Sequence, residues 1–380
     1  MSYKKTIPHA YLREHAFNMR WAEVGPDVIP LTAADTDLPI SKDITDAIIS
    51  ESLHQLFPYG PAQGLLSFRE ALAHHYNENK ASKIQANQII ATNSAATALQ
   101  DWCNHFLKPG DDVLIPDPVD FLLGYCAEQA GATVSRVEAA KNWNEEEWAR
   151  NIKPNTKGIF ICHPHNPLGF SYDRKSLQKI SNFAIKHKLL LLSDEVWSDV
   201  VLSEEFVSMA AVDPKSWVIY GLSKGFGLAG LRIGAIIGPD ADSIQPILDQ
   251  QGYTRTTQGV STLSQIAAAA AMKSAYARID FIQQMRINVD YVFQRLSNEQ
   301  SFFEVTKPSS TFVFWMKHPE HWDTLTLTQK IESEALVKLV PGLPIWFGPG
   351  AKGHVRMSCA TSIPVLEEAL NRLIAWTKNY

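Results

Sequence analysis

A lysine stands in a glycine-punctuated turn and is followed eight residues later by an arginine, in the run Gly221-Leu222-Ser223-Lys224-Gly225-Phe226-Gly227-Leu228-Ala229-Gly230-Leu231-Arg232-Ile233-Gly234. A lysine amine condenses with an aldehyde only when it is partly neutral and held in place, which takes a shielded site and not a solvated surface. An arginine nearby fixes an anion. A small molecule with an aldehyde for Lys224 and a phosphate for Arg232 would use both residues at once.

Pyridoxal phosphate is such a molecule, and its pyridine ring serves as an electron sink once the amine has condensed. The run meets every restricted position of the lysine-site signature that it resembles, that of the class I and II aminotransferases in the fold-type I family of pyridoxal-phosphate enzymes. Lys224 is read as the Schiff-base lysine, with Ser223 and Arg232 beside it on the cofactor. A rival reading lies in Gly225-Phe226-Gly227-Leu228-Ala229-Gly230, which also fits a dinucleotide fingerprint after the strand-like Trp217-Val218-Ile219-Tyr220. That fingerprint needs a helix directly after the glycines and an acidic ribose anchor about twenty residues on. Arg232 to Gly238 reads as another strand, and Asp240 falls too soon in a Gly-Pro-Asp turn, so a nicotinamide oxidoreductase is only a remote alternative.

Asp194 closes the apolar run Leu189 to Ser193, where a parallel strand delivers a functional group. A carboxylate there suits a protonated ring nitrogen, each keeping the other charged. As residues alone, Asp194 or Asp199 also fits the cap of a following helix, and Glu195 and Asp199 are expected to be structural. The resemblance gives Asp194 the ring nitrogen, and it gives Asn166, in His163-Pro164-His165-Asn166-Pro167-Leu168-Gly169, the phenolic oxygen of the cofactor. Three residues after Asp194 the family usually carries a tyrosine, and this chain has Trp197. Without that hydroxyl donor the imine is expected to keep its proton to higher pH than in tyrosine-bearing relatives.

Small residues in Thr92-Asn93-Ser94-Ala95-Ala96-Thr97 open a helix that runs on through Leu107, and a helix N-terminus attracts phosphate. Without the family this is only a capped helix. By resemblance Ser94, Ala95 and Ala96 contact the phosphate, Tyr59 reaches the site of a neighbouring subunit in a homodimer, and Arg356 grips the substrate carboxylate. Tyr59 also reads as an aromatic anchoring a Pro/Gly turn before a helix from Leu66 to Tyr76. In Pro118-Val119-Asp120-Phe121 an aspartate stands where many relatives carry the aromatic that stacks on the ring. Phe121 is expected to stack instead, and Asp120 to line the substrate pocket or shape a turn. Arg255 is a weaker pocket candidate.

These residues need a rigid frame. Apolar runs at 112–116, 158–162, 189–192 and 217–220 suit strands buried on both faces, and the stretch Arg174 to His187 between them has helical spacing. The pattern is α/β, a mainly parallel sheet covered by helices. After Gln258 come an alanine-rich helix, Ser264 to Met272, and a longer one through Ile282, Met285, Val289, Val292 and Leu296. A strand at Thr311 to Trp315 and a closing helix through Leu366, Leu370, Leu373 and Ile374 give the last hundred residues α+β character. The resemblance implies the aspartate aminotransferase-like fold, with residues 1–44 and 276–380 in a small domain and 45–275 in the large cofactor-binding one.

The chain of 380 residues is 45% hydrophobic and 20% charged with a net charge of -5, and it shows no basic stripe for nucleic acid. No run is long enough to cross a bilayer, so a cytoplasmic location is expected. Cys103, Cys126, Cys162 and Cys359 are spread too widely for a disulfide framework. Cys162, His163 and His165 are close together, yet neighbours at a strand end point in different directions, so no metal is expected there.

An enzyme using amino-acid and keto-acid substrates follows from the resemblance, but its reaction stays open. Loss of the Cα proton leads to a keto acid by transamination, or to pyruvate, ammonia and a thiol when a β-substituent leaves. The His-Asn-Pro-x-Gly, Ser-Asp-Glu-x-x-Ser-Asp and Ala-Gly-Leu segments resemble the cystathionine β-lyase branch. The complete lysine-site pattern with Arg232-Ile233-Gly234 resembles the aminotransferases. Transamination is the expectation and C–S β-elimination the alternative.

Overall fold

The computed structural model describes residues 7, 9–15, 19–202, 205–250, 252–253, 259–299 and 301–380. Arg255 and Gln258 lie outside them. Seven strands form the large sheet: β1 (Ile89–Thr92), β2 (Asp112–Asp117), β3 (Thr133–Glu138), β4 (Thr156–Cys162), β5 (Leu190–Asp194), β6 (Trp217–Gly221) and β7 (Gly234–Ile237). Their order is β1-β7-β6-β5-β4-β2-β3, with β7 antiparallel to both neighbours and the other pairs parallel. The runs that are apolar at every position become strands with two dry faces. Trp217 and Ile219 pack with Leu99, Trp102 and Ile236, whereas the alternate residues Val218 and Tyr220 pack with Phe68, Tyr76 and Ala267.

Helices supply those two layers. Lys42–Leu53 (α1), Leu66–Asn79 (α2) and, later in the chain, Thr262–Lys273 pack together, and Ala95–Phe106 (α3) lies beside Phe121–Gln129 (α4). The helix Arg174–His187 (α5) has the bounds its spacing predicts. Asp173 caps its start by accepting from the Ser176 amide at 2.7 Å, and Lys188 ends it in the left-handed region at φ 55°. Leu177, Ile180 and Phe183 then bury one face of α5 against Ile159, Ile161 and Leu191.

A second core unites the two ends of the chain. Trp21, Ile29 and Leu31 pack with Met285, Val289 and Val292 of the helix Ala275–Asn298, and with Leu366, Leu370 and Leu373 of the closing helix Ile363–Thr377. Its sheet holds β8 (Glu304–Val305), β9 (Val313–Lys317), β10 (Val340–Pro341) and β11 (His354–Ser358) in the order β10-β11-β9-β8. The strand expected from Thr311 starts at Val313. Thr311 takes φ 74° and donates its amide to the Val200 carbonyl at 2.8 Å, which ties it to another segment before the ladder begins. Among the described residues no helix is long and apolar enough to cross a membrane.

Behind the large sheet's C-terminal edge lies a buried polar cluster. Lys80 Nζ donates to Ser198 Oγ at 2.5 Å and to Asp199 Oδ1 at 3.0 Å, while His75 Nε2 meets the same oxygen at 2.6 Å and the Tyr220 hydroxyl donates to Oδ2 at 2.7 Å. Glu195 accepts from Ser193, Ser208, Tyr76 and the Met209 amide. Both carboxylates are thus structural, as expected, and the segment after Asp194 is a turn, so neither Asp194 nor Asp199 caps a helix there.

Two glycines facing each other across the β6–β7 ladder let α3 approach the sheet. Gly221 pairs with Gly234, and a Cβ on Gly234 would lie 2.5 Å from the Ala95 nitrogen and the Ser94 carbonyl carbon. A side chain there must push the helix opening away. Gly234→Ala is expected to lower stability by about 1–3 kcal/mol, the usual cost of overpacking. Gly230→Ala, which meets nothing within 4 Å, should change the denaturation midpoint by far less, and equal midpoints for the two variants would show that the contact does not constrain the fold.

Candidate active site

The parallel register brings three strand ends level, because Asp194 pairs with Cys162 on one side and with Ile219 on the other. Beyond these ends lies one cavity. Its wall includes Ser94, Ala95 and Ala96 at the opening of α3, Asp120, Asn166, Asp194, Trp197, and the trio Ser223, Lys224 and Arg232. Residues separated by up to 138 positions of sequence are gathered here. Phe121 stands apart: its ring packs edge-on against Trp346 at 5.4 Å and near Tyr125 at 6.3 Å, and Asp120 and Leu122 face the cavity in its place. Tyr59 is 85% exposed and is not on the wall.

Lys224 Nζ donates to the Ala34 carbonyl at 2.8 Å and sits 5.5 Å from the centre of the Trp197 ring. Burial is the largest influence on this amine and pulls its pKa below lysine's ordinary value. Asp120 opposes that shift, Arg356 adds to it, and Asp35 and Asp194 oppose it more weakly. The amine is therefore closer to neutrality than a surface lysine, as condensation with an aldehyde requires.

Asp194 shows the reverse effect. Burial, with Asp120 and Glu195 nearby, raises its carboxyl to about 7 even though the Val196 amide and Lys224 favour the charged form. A carboxylate held out of water and short of cations suits a protonated ring nitrogen. Trp197 is buried and packs edge-on against Phe312 at 4.8 Å.

The opening of α3 fits a phosphate. Ser94 caps the helix by accepting from the Thr97 amide at 3.0 Å, and the first-turn amides of Ala95 and Ala96 are ones the helix itself leaves unpaired. Only methyl groups stand on these two residues, and the missing Cβ atoms of Gly221 and Gly234 let this helix opening sit close against the strand ends. Arg232, in the left-handed region at φ 50°, reaches the same wall, and its Nη1 donates to the Ala229 carbonyl at 3.1 Å. The dinucleotide reading fails here, because Ala229–Leu231 is a single 3₁₀ turn and β7 follows it directly.

Arg356, on β11 of the second core, reaches across to the first. Its Nη1 donates to Asn166 Oδ1 at 3.1 Å, its Nη2 to the Thr32 carbonyl at 3.3 Å, and its guanidinium carbon lies 5.1 Å from the Phe347 ring centre. The buried Nε has no partner, so the fork retains a donor for a carboxylate. Asn166 gives its Nδ2 to Asp120 Oδ2 at 2.8 Å.

Cys162, His163 and His165 do not converge. The thiol donates to the Pro164 carbonyl, His163 Nε2 meets the Val207 carbonyl, and His165 stacks on Phe170 with burial lowering its pKa to about 3. Among the described residues no group of His, Cys, Asp or Glu could hold a metal. All four cysteines are buried and free. Sequence reasoning missed the carbonyls of Thr32 and Ala34, the acceptors for the two cations, and backbone oxygens leave no mark in residue types.

Comparison with known proteins agrees with this geometry. The model of the family described as aminotransferase class I and II matches residues 26–373. The aspartate aminotransferase of Thermotoga maritima is 30% identical over 360 residues, covering 92% of this chain and 91% of that one. The aspartate/prephenate aminotransferase of Thermus thermophilus is 27% identical over 375 residues, covering 96% and 95%. Among solved structures, the aromatic aminotransferase of Pyrococcus horikoshii superposes with a TM-score of 0.85 at 27% identity, over 95% of this chain and 98% of that chain. The fold, the lysine placed three residues beyond a central strand, and a match spanning nearly the whole chain make this protein a member of the class I and II aminotransferase family, the pyridoxal 5'-phosphate enzymes of fold type I.

Proposed function

We propose that the protein moves an α-amino group between an amino acid and a keto acid, with Lys224 as the amine that holds pyridoxal 5'-phosphate. One observation carries this reading: the Lys224 amine, the Asp194 carboxylate, the Asn166 amide and the opening of α3 line the same cavity. When bound, the cofactor supplies an electron sink for a carbanion at the substrate's Cα. Asp194 would keep the ring nitrogen protonated, Ser94, Ala95, Ala96, Ser223 and Arg232 would hold the phosphate, and Asn166 and Trp197 would serve the ring oxygen. Arg356 grips the substrate carboxylate. Lys224 would take and return the proton at the substrate's Cα. Asp120, rather than Phe121, faces the reacting groups.

The relatives' names favour group transfer over C–S cleavage. The homodimer expectation has a surface to suit it, since Leu53, Leu56, Phe57 and Tyr59 are all exposed on one stretch of chain. Tyr59 would then enter the neighbouring site. The domain division at 45 and 275 is supported by the two sets of cores, with the helix at Ala275–Asn298 packing in the one that holds both chain ends.

The loaded protein, treated with a panel of amino acids without a keto acid, should lose its visible band as pyridoxamine phosphate forms. Pyruvate and thiol released from cystathionine without pyridoxamine phosphate would replace transfer with β-elimination. A second outcome concerns Trp197. Replacing it by tyrosine adds a hydroxyl donor toward the ring oxygen, so the midpoint of the visible pH titration should fall by on the order of one unit. An unchanged midpoint in Trp197→Tyr would remove the tryptophan from that contact.

Asp194 sets a third outcome. Its folded pKa, about 7, lies above aspartate's ordinary 3.8. The folded chain without cofactor therefore binds this proton more tightly than the unfolded chain. The resulting stability is fully present below the ordinary aspartate range and lost as pH rises through about 7. A cationic ring nitrogen reverses the penalty on the charged form. Thermal stabilisation by added pyridoxal phosphate should thus be larger at about pH 8 than at about pH 6, with the difference reduced in Asp194→Asn. Equal pH dependence in both proteins would sink the pairing.

A further inference from the structure

The geometry points to Asp120 as the positioning residue of the site, a carboxylate that fixes the Asn166 amide and, through it, the Arg356 fork. The observation behind it is one of hydrogen-bond polarity. Asp120 Oδ1 accepts from the Leu122 amide at 3.2 Å at the start of α4, and Oδ2 accepts from Asn166 Nδ2 at 2.8 Å. Both oxygens therefore face donors. The Asp120 amide also donates to the Asn166 carbonyl at 3.1 Å, which ties the two loops together by their backbones.

Asn166 cannot relieve this demand by turning its amide over. Its Oδ1 already accepts from Arg356 Nη1 at 3.1 Å, and an arginine has no acceptor to offer in exchange. The nitrogen must therefore face Asp120. One N–H is used there, and the other is left for the cavity. An aromatic ring at position 120 would supply no such acceptor, so this arrangement depends on the carboxylate of Asp120.

An isosteric amide does not substitute. In Asp120→Asn one side-chain atom becomes a donor, and it must face either the Leu122 N–H or the Asn166 N–H. The chain would lose either the helix cap or the orientation of Asn166. Exchanging the two residues, D120N together with N166D, restores the pattern. The amide then at position 120 accepts from Leu122 and donates to the carboxylate at position 166, which still accepts from Arg356.

Two measurements test the assignment. The first needs neither cofactor nor substrate: urea denaturation of wild type, D120N, N166D and D120N/N166D. The double variant should be more stable than the sum of the two single losses requires, because each single change opposes like groups and the pair does not. Additive losses would overturn the assignment. The second uses the loaded enzyme and Asp120→Ser, which keeps a hydroxyl to cap α4 but is too short to reach Asn166. It should raise KM for the amino acid about tenfold with a smaller change in kcat, as the unfixed fork loses its hold on a carboxylate. A wild-type KM would also overturn it. This second arm rests on the aminotransferase reading, whereas the first does not, so failure of that reading and failure of the Asp120 assignment are separable.

Discussion

The site depends on removing one lysine from water without surrounding it so completely with carboxylates that it stays charged. Lys224 has a carbonyl acceptor at Ala34 and an aromatic face at Trp197, neither of which carries a formal charge. Asp120, Asp35 and Asp194 lie near enough to hold the proton, and Arg356 and burial work against them. Burial wins. A surface lysine would be fully protonated and unreactive toward an aldehyde, and one paired directly with a carboxylate would be worse, so the acceptor at this position is best left neutral.

Dry surroundings on this scale need a frame that does not yield, and the buried cluster behind the strand ends provides one. Asp199 is held by Lys80, His75 and Tyr220, with their cationic and hydrogen-bonding influence keeping its carboxyl well below the ordinary range despite burial. A Cβ on Gly225 would lie 2.4 Å from Asp199 Cβ, so the residue directly after Lys224 rests on that anchored aspartate. The cluster thus fixes the floor of the Lys224 turn without touching the cavity. On the other side, Gly221 and Gly234 let the helix opening settle against the two strands that flank that turn.

Much of this was legible in residue order. Strands with two dry faces show as unbroken apolar runs, and Asp194 and Lys224 follow such runs at the distance where a parallel sheet presents functional groups. The helix bounds at Arg174 and His187 were readable because cap and spacing agree. The reversal of β7 was not, since Gly234 to Ile237 is as apolar as its neighbours and direction leaves no trace in composition. Which of Asp120 and Phe121 faces the cavity left no mark either: Phe121 begins α4 and packs against Trp346, while Asp120 and Leu122 line the wall. The carbonyls of Thr32 and Ala34 were invisible altogether.

Those two carbonyls also tie the core that holds both chain ends to the large sheet's side of the site. Thr32 and Ala34 follow the Ile29–Pro30 strand, which pairs with Val337–Lys338, while Arg356 lies on β11 of the neighbouring sheet. Lys224 and Asn166 come from the other unit. Hydrogen bonds from Lys224 to Ala34, and from Arg356 to both Thr32 and Asn166, therefore stitch the two cores together at the cavity itself. Arg356 uses two nitrogens for that stitching and keeps Nε without a partner, so the contact between the cores leaves the fork a donor for a carboxylate.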